Sequence, residues 1–176
     1  MNRIKSLALN ITLSFTTLTV LFLIIEFVMS YGTSQLKTKS ALPEGLFNQS
    51  SISYLSPGFK GEFNNKEIAA EIIINSKGIR DKELNYEKSG TEFRILGLGD
   101  SFTFSYTSYE GNFLTMLEYR LNSQFKKQIN VIKAGVPGTG PDFYYNFYNN
   151  EGYKYNPDII LINFYIGNDV TNIGEM

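Results

Sequence analysis

Three largely apolar runs, each leading into a glycine-containing corner, constrain the fold of this chain more strongly than any other feature. The runs are FRILGLG at residues 93–99, INVIKAG at 129–135 and DIILINFYI at 158–166. Continuous apolar runs without polar alternation are typical of strands that are buried on both faces of a sheet. The sequence therefore predicts three β-strands in a parallel sheet.

The two connections between these runs carry the pattern of helices. Apolar residues recur at helical spacing in the first connection: Phe113, Leu114, Leu117 and Leu121. In the second, Pro141 suits the first helical position and Gly152 suits the helix end. A βαβαβ order implies right-handed crossovers, with helices on both faces of the sheet. We therefore predict an α/β fold, a three-layer αβα sandwich around a parallel sheet.

The N-terminal segment has the composition of a membrane helix. Residues 7–25 contain no charge, and about 20 apolar residues are enough for a helix to cross a bilayer. Arg3 and Lys5 precede this stretch, which favours a cytoplasmic N-terminus. We predict a transmembrane anchor at residues 1–32, with the following domain extracytoplasmic, at the cell surface or in the periplasm. A cleaved signal peptide and a buried core helix are the alternatives.

The region between the anchor and the first apolar run has less regular character. Residues 33–65 are rich in Ser, Asn and Gly, which predicts an irregular linker. Residues 71–74 have the composition of a short edge strand followed by a turn. We therefore predict a linker and edge-strand lead-in at residues 33–91, and the α/β domain at 92–176.

Composition excludes several classes of function. The chain has no cysteine and no histidine, which excludes disulfides, thiolate metal sites and imidazole ligands. Its 16 basic and 17 acidic residues give a net charge of −1, and the basic residues are scattered instead of forming a patch for nucleic acid. We predict no metal, no organic cofactor and no nucleic-acid partner.

The corners after the three apolar runs carry polar groups that suit catalysis. They read Gly99-Asp100-Ser101-Phe102, GVPGTGP at 135–141 and Gly167-Asn168-Asp169. In open α/β sheets, ligands bind beyond the carboxyl ends of the strands. A hydroxyl, backbone N–H groups of a glycine-rich loop and a side-chain amide are the parts of a serine nucleophile with an oxyanion hole. The alternative is structural: Asp100 or Ser101 caps a helix that follows the strand.

These corners resemble the conserved blocks of the SGNH, or GDSL, hydrolase family of serine esterases. The similar segments are GDSF at 99–102, KAGVPG at 133–138 and GND at 167–169. NSKGIRD at 75–81 is also similar to the lead-in of membrane-anchored bacterial members. The resemblance implies a flavodoxin-like fold, of which this chain holds the first βαβαβ portion. It further implies that Ser101 is the nucleophile, and that the N–H groups of Ser101 and Gly138 with the Asn168 amide form the oxyanion hole.

The expected function follows from this resemblance together with the predicted anchor. We expect a serine esterase that deacylates a small ester or an ester on a cell-envelope or exported polysaccharide. A polysaccharide O-acyltransferase with the same site is one alternative. A membrane-anchored carbohydrate-binding domain without catalysis is another, because the chain has no histidine.

The family completes its catalytic triad with a late Asp and His, and this chain has no histidine. Asp100 is expected to point away from Ser101 along the chain, and Asp169 to orient the loop of Asn168, so neither is expected to be the base. We therefore expect the chain to be the front part of a longer protein, with the base beyond residue 176.

Sequencing the gene past Met176 should reveal an open reading frame that continues, and a stop codon in an intact gene would contradict this expectation.

Overall fold

A computed structural model describes residues 2–36, 42–65 and 68–170. The chain divides into two compact units near residue 40. The first unit holds helix α1, Asn2–Leu36. In the described residues, the second unit holds β1 (Lys60–Asn64), β2 (Ala69–Ile73), β3 (Glu92–Gly99), α2 (Ser101–Phe104), α3 (Phe113–Gln124), β4 (Gln128–Gly135), α4 (Pro141–Asn150) and β5 (Ile159–Asn163).

Helix α1 is long and apolar enough to cross a membrane. The apolar part, Leu9–Tyr31, spans 23 residues with a mean hydropathy of 2.1, and its large apolar side chains are exposed. The hydroxyls of Thr16 and Thr17 each donate to the carbonyl of Leu13, at 2.9 and 2.8 Å. Such bonds satisfy hydroxyl groups within the helix itself, where lipid offers no partner. These polar residues are therefore compatible with membrane anchoring.

The main sheet has three parallel strands in the order β4-β3-β5, which confirms the predicted parallel sheet. At its carboxyl edge, Gly99 of β3 is paired with Gly135 of β4 and with Asn163 of β5. The chain first moves from β3 to β4 on one side and then crosses to β5 on the other. The strand order therefore reverses at β3, the topological position at which open α/β sheets bind ligands.

The helices α3 and α4 lie on opposite faces of this sheet, as the βαβαβ pattern predicts, and bury β3 and β4. Strand β5 is largely exposed, so the prediction that its apolar run is buried on both faces is wrong for the described residues. Leu114 of α3 packs in one apolar cluster with Ile95, Ile129 and Val131. Residues of α4 pack in a second cluster with the alternate residues of the same strands: Phe143 and Phe147 with Leu96, Leu98, Ile132 and Ala134. Because neighbouring strand residues point to opposite faces, the two clusters lie on the two sides of the sheet.

The segment before the sheet is more ordered than its composition predicts. Leu46 and Leu55 have no exposed surface and belong to the apolar cluster beneath α4, and β1 pairs with β2 in a separate antiparallel sheet. Residues 42–59 form no helix and only one isolated β-bridge, in keeping with the predicted irregular structure, but several of their apolar side chains belong to the core; residues 37–41 lie outside the described residues. The isolated apolar residues of this segment have no period, so only their tertiary contacts reveal that they are core.

The third strand of the sheet is shorter than its apolar run predicts. Strand β5 ends at Asn163, three residues before the predicted end at 166. The reason is a turn: the Tyr165 N–H donates to Asp169 Oδ2, and the Asp169 N–H donates to the Tyr165 carbonyl, each at 3.0 Å. The chain therefore leaves the sheet at the loop that carries Asn168.

Replacing Leu55 tests whether the lead-in belongs to the core. Leu55→Ala should lower the free energy of unfolding by about 2–5 kcal/mol, because it removes a buried side chain and leaves a cavity. Urea unfolding of the full chain in detergent, followed by near-ultraviolet circular dichroism of the tyrosines, measures this change. Ile52→Ala is the matched control, since Ile52 is 50% exposed. Equal effects of the two substitutions would contradict the burial of the lead-in.

Candidate active site

The loops after β3, β4 and β5 leave the sheet at the same edge. Their strand ends are level, as the pairing of Gly99 with Gly135 and Asn163 requires. The rings of Phe102 and Tyr165 lie 4.5 Å apart between centroids, so the turn of Ser101 contacts the loop of Asn168. The loop of Gly138 follows β4 at this edge. The three sequence-predicted site residues therefore stand on neighbouring loops.

Asp100, and not Ser101, caps the helix α2. The Asp100 side chain is fully buried and accepts the Phe102 N–H at 2.9 Å, which satisfies one of the free N–H groups of the helix start. Ser101 is the first helical residue, and its half-buried side chain is not used in the cap. Of the two residues that could cap the helix, Asp100 therefore does so. The Ser101 hydroxyl takes no part in the cap.

The Asp100 carboxylate lies closer to Ser101 than the sequence predicts. The Ser101 hydroxyl is 3.5 Å from Asp100 Oδ2, so the expectation that Asp100 points away is wrong. The reason is the cap itself, which turns the carboxylate back over the first helical turn. A contact of this length is at the limit of a hydrogen bond, and proton transfer needs about 2.6–3.2 Å. Asp100 therefore orients the turn and is poorly placed as a general base.

Gly135 allows α2 to lie directly against the end of β4. A Cβ atom at this position would approach the Phe104 nitrogen to 2.2 Å and the Thr103 carbonyl carbon to 2.4 Å. Any larger residue would push the helix that begins at Ser101 away from the sheet. The sequence places this glycine at the end of a strand and the start of a glycine-rich loop, and glycine at a strand end often marks close backbone approach.

Gly138 adopts a backbone conformation that favours glycine. Its φ is +77°, in the left-handed region that other residues rarely occupy. A Cβ atom there would meet nothing within 4 Å, so the backbone conformation and not the available space requires glycine. The Thr139 hydroxyl donates to the Val136 carbonyl at 2.8 Å and closes the loop around this residue.

Asp169 holds the loop that carries Asn168. Its carboxylate is fully buried, and Oδ2 accepts both the Tyr144 hydroxyl and the Tyr165 N–H, each at 3.0 Å. Burial, together with the hydrogen bond to Asp169, raises the pKa of Tyr144 far above its usual range, so Tyr144 stays a donor. The structure thus agrees with the expected orienting role of Asp169. It adds Tyr144, which sequence alone does not single out because a tyrosine on an apolar helix face has no distinguishing pattern.

A second polar cluster lies beside the turn that follows α2. Asp81 Oδ1 accepts the Tyr109 hydroxyl at 2.8 Å and the Lys133 ammonium at 3.1 Å. Arg80, Asp81 and Tyr109 line a cavity of about 370 Å³. Burial, aided by the charge of Asp81, raises the pKa of Tyr109 well above its usual range. In the sequence, residues 75–81 show only a resemblance, and their contacts become visible in the tertiary structure.

Several buried carboxylates of the described residues are paired with cations. Asp81 pairs with Lys133, and Glu92 pairs with Arg94 at 2.6 Å. Among the described residues, no three Asp or Glu side chains are grouped so that they could hold a metal ion. The expectation of a site without metal or cofactor stays a prediction.

No protein-family model, curated protein or solved structure matches the chain. The interpretation of the site therefore rests on its residues and geometry.

Removing one hydroxyl tests how the Asn168 loop is held. Tyr144→Phe should lower the free energy of unfolding by about 1.5–3 kcal/mol, because the buried Asp169 carboxylate loses a donor. Urea unfolding measures the loss, and hydrogen exchange of the Tyr165 amide should become faster. Tyr145→Phe is the neighbouring control, since Tyr145 is 72% exposed and its change should stay within about 0.5 kcal/mol. Indistinguishable results for both variants would refute this role of Tyr144.

Proposed function

We propose that the protein is a serine-dependent carboxylic-ester hydrolase of the SGNH/GDSL type. One observation carries the proposal: the loops of Ser101, Gly138 and Asn168 follow three strands whose ends are level. The strand order β4-β3-β5 and the helices on opposite faces support the finer assignment, a flavodoxin-like three-layer αβα fold. The site then lies where the strand order reverses, as is usual in such folds.

The proposed reaction is acyl transfer through an ester of Ser101. The hydroxyl oxygen attacks the substrate's carbonyl carbon, and the hydroxyl proton passes to a general base. The negative charge on the carbonyl oxygen is stabilised by the N–H groups of Ser101 and Gly138 and by the Asn168 amide. Collapse of this intermediate expels the alcohol, which takes up the proton. Water then cleaves the acyl-serine by the same route and releases the acid.

This mechanism requires a general base next to the Ser101 hydroxyl. A serine hydroxyl is a weak nucleophile until a neighbouring group accepts its proton, and the 176 residues contain no histidine. The Asp100 carboxylate accepts the Phe102 N–H of the helix cap, and its Oδ2 lies 3.5 Å from the Ser101 hydroxyl, too far for efficient proton transfer. We therefore propose that a histidine from outside these residues acts as the base.

The proposed substrate follows from the location of the site. Helix α1 supports membrane anchoring, and the positive flank of Arg3 and Lys5 favours an extracytoplasmic domain. Esters available on that side include acyl groups on cell-envelope or exported polysaccharides. A polysaccharide O-acyltransferase would use the same site and replace water with a sugar hydroxyl.

An exposed aromatic pair beside Ser101 supports a second candidate function. Phe102 and Tyr165 are 58% and 44% exposed, and their rings are in contact. Aromatic rings of this kind offer an apolar face against which a sugar ring can pack, and Tyr adds a polar hydroxyl. A membrane-anchored domain that binds carbohydrate without catalysis is therefore the alternative.

Covalent labelling discriminates between the two functions. A fluorophosphonate probe should label the natural gene product, purified in detergent, and labelling should disappear in Ser101→Ala but not in the control Ser123→Ala.

Asn168→Ala should slow ester turnover by about 10²–10³-fold, since it removes one oxyanion donor, whereas the control Asn149→Ala should not. The 176-residue chain by itself should show no turnover. Absence of labelling in the natural product would favour the binding domain.

A further inference from the structure

Ser105, the residue that ends α2, has an unusual backbone conformation. Its φ and ψ are 62° and 142°, in a region that residues other than glycine rarely adopt. Its N–H donates to the Ser101 carbonyl at 2.9 Å. Strained residues of this kind persist only where the surrounding structure holds them in place, and they are frequent at functional sites. The strain at Ser105 is thus connected to the proposed nucleophile by one hydrogen bond.

The side chain of Arg80 holds this conformation in place. Arg80 is 6% exposed, and its Nη1 donates to the carbonyls of Phe104, at 2.8 Å, and Ser105. Its Nη2 donates to the carbonyl of Thr107 at 2.8 Å. The last carbonyls of a helix have no partner within the helix, and here one guanidinium supplies it. The backbone on both sides of the strained residue is therefore bound to a single side chain.

The planar shape of the guanidinium matters for this arrangement. A fourth acceptor, the carbonyl of Glu71, lies 3.0 Å from Nη2, so Arg80 joins the turn to strand β2 as well. Arginine presents its donors in a rigid fork, whereas lysine offers one compact charge on a flexible stem. Lysine cannot reach these separate carbonyls with the same geometry.

Arg80 is itself anchored to the sheet by its neighbours in sequence. Ile79 lies in the apolar core, and Asp81 accepts both the backbone N–H and the ammonium of Lys133, each at 3.1 Å. Lys133 belongs to β4. The guanidinium is therefore held in a fixed position relative to the strand against which α2 packs.

We propose that Arg80 is a positioning residue for Ser101. It fixes the turn of residues 101–105 by binding the carbonyls around Ser105, whose N–H in turn binds the Ser101 carbonyl. The effect of Arg80 on reactivity rests on the proposed function, but its effect on the backbone of this turn does not. Segment 75–81 thus acquires a role in the site, although it lies about 20 residues before Ser101 in the sequence.

Substitution by lysine tests the proposal with two readouts on the natural gene product. In Arg80→Lys, hydrogen exchange at the Ser105 amide should become at least about tenfold faster, because its conformation is released. Fluorophosphonate labelling, corrected for the folded fraction, should become at least about tenfold slower, because a small displacement of a reacting group costs this much or more. With p-nitrophenyl acetate, kcat should fall and KM should stay within about twofold, since substrate contacts are unchanged.

Arg94→Lys is the matched control. Arg94 is also buried and donates to the carbonyls of Tyr86, Tyr155 and Glu87. It lies five residues before Gly99 in β3, which places it roughly 16 Å from the carboxyl edge of the sheet. Its replacement should lower stability without changing Ser105 exchange or the labelling of folded protein. Equal slowing of labelling in both variants would overturn the proposal.

Adding Ser105→Gly to Arg80→Lys should restore the labelling rate of Ser101. A role of Arg80 in overall stability alone would not produce this rescue. Glycine adopts positive φ without strain, so the turn should depend less on Arg80. Labelling of Arg80→Lys/Ser105→Gly should return to within about threefold of Ser105→Gly, and this comparison also serves if Arg80→Lys alone does not fold. A tenfold difference between these two variants would overturn the proposal.

The exchange readout separates this inference from the proposed function. If the wild-type protein is not labelled, but Arg80→Lys still releases the Ser105 amide, the hydrolase fails and the hold of Arg80 on the turn is supported. If Ser105 exchange is the same in the wild type and in Arg80→Lys, the positioning role is overturned whatever the labelling shows.

Discussion

The in-register parallel pairing of β3 with β4 and β5 is the interaction on which the rest of the α/β domain depends. It sets Gly99, Gly135 and Asn163 in one row, so three loops that are distant in sequence leave the sheet together. A shift of one residue would exchange the two faces of a strand. It would also move each strand side chain from one apolar cluster to the other, and so disrupt its packing against α3 and α4. The core therefore fixes the register, and the register fixes the relative positions of the loops.

Side chains, and not a backbone ladder, hold the loops beyond the sheet. Asp169 accepts hydrogen bonds from the Tyr144 hydroxyl and the Tyr165 N–H. Arg80 donates hydrogen bonds to the carbonyls of Phe104 and Ser105. Both side chains are buried, where each hydrogen bond is costly to lose. Gly135 adds the close contact of α2 with β4. A strained turn persists beside Ser101 because these groups leave its backbone few alternatives.

Much of the α/β domain was predictable because its signals are local. β3 and β4 coincide with their apolar runs within one residue, α3 contains its helical pattern, and α4 begins at Pro141 as predicted. The lead-in was not predictable, since the core role of Leu46 and Leu55 depends on contacts with residues far along the chain. The end of β5 was also missed, because the apolar run continues through a turn that Asp169 creates.

The sequence by itself determined which residues follow each strand, because strands and helices are specified by short-range periodicity. It thereby made Ser101, Gly138 and Asn168 candidates for one site. Only the tertiary structure decided that Asp100, and not Ser101, caps α2, that Tyr144 binds Asp169 and that Arg80 binds the turn of Ser105. The physical reason is that these contacts end on backbone groups or on distant side chains. Backbone N–H and carbonyl groups are nearly the same at every position, so no pattern of residue types reveals which of them a side chain will meet.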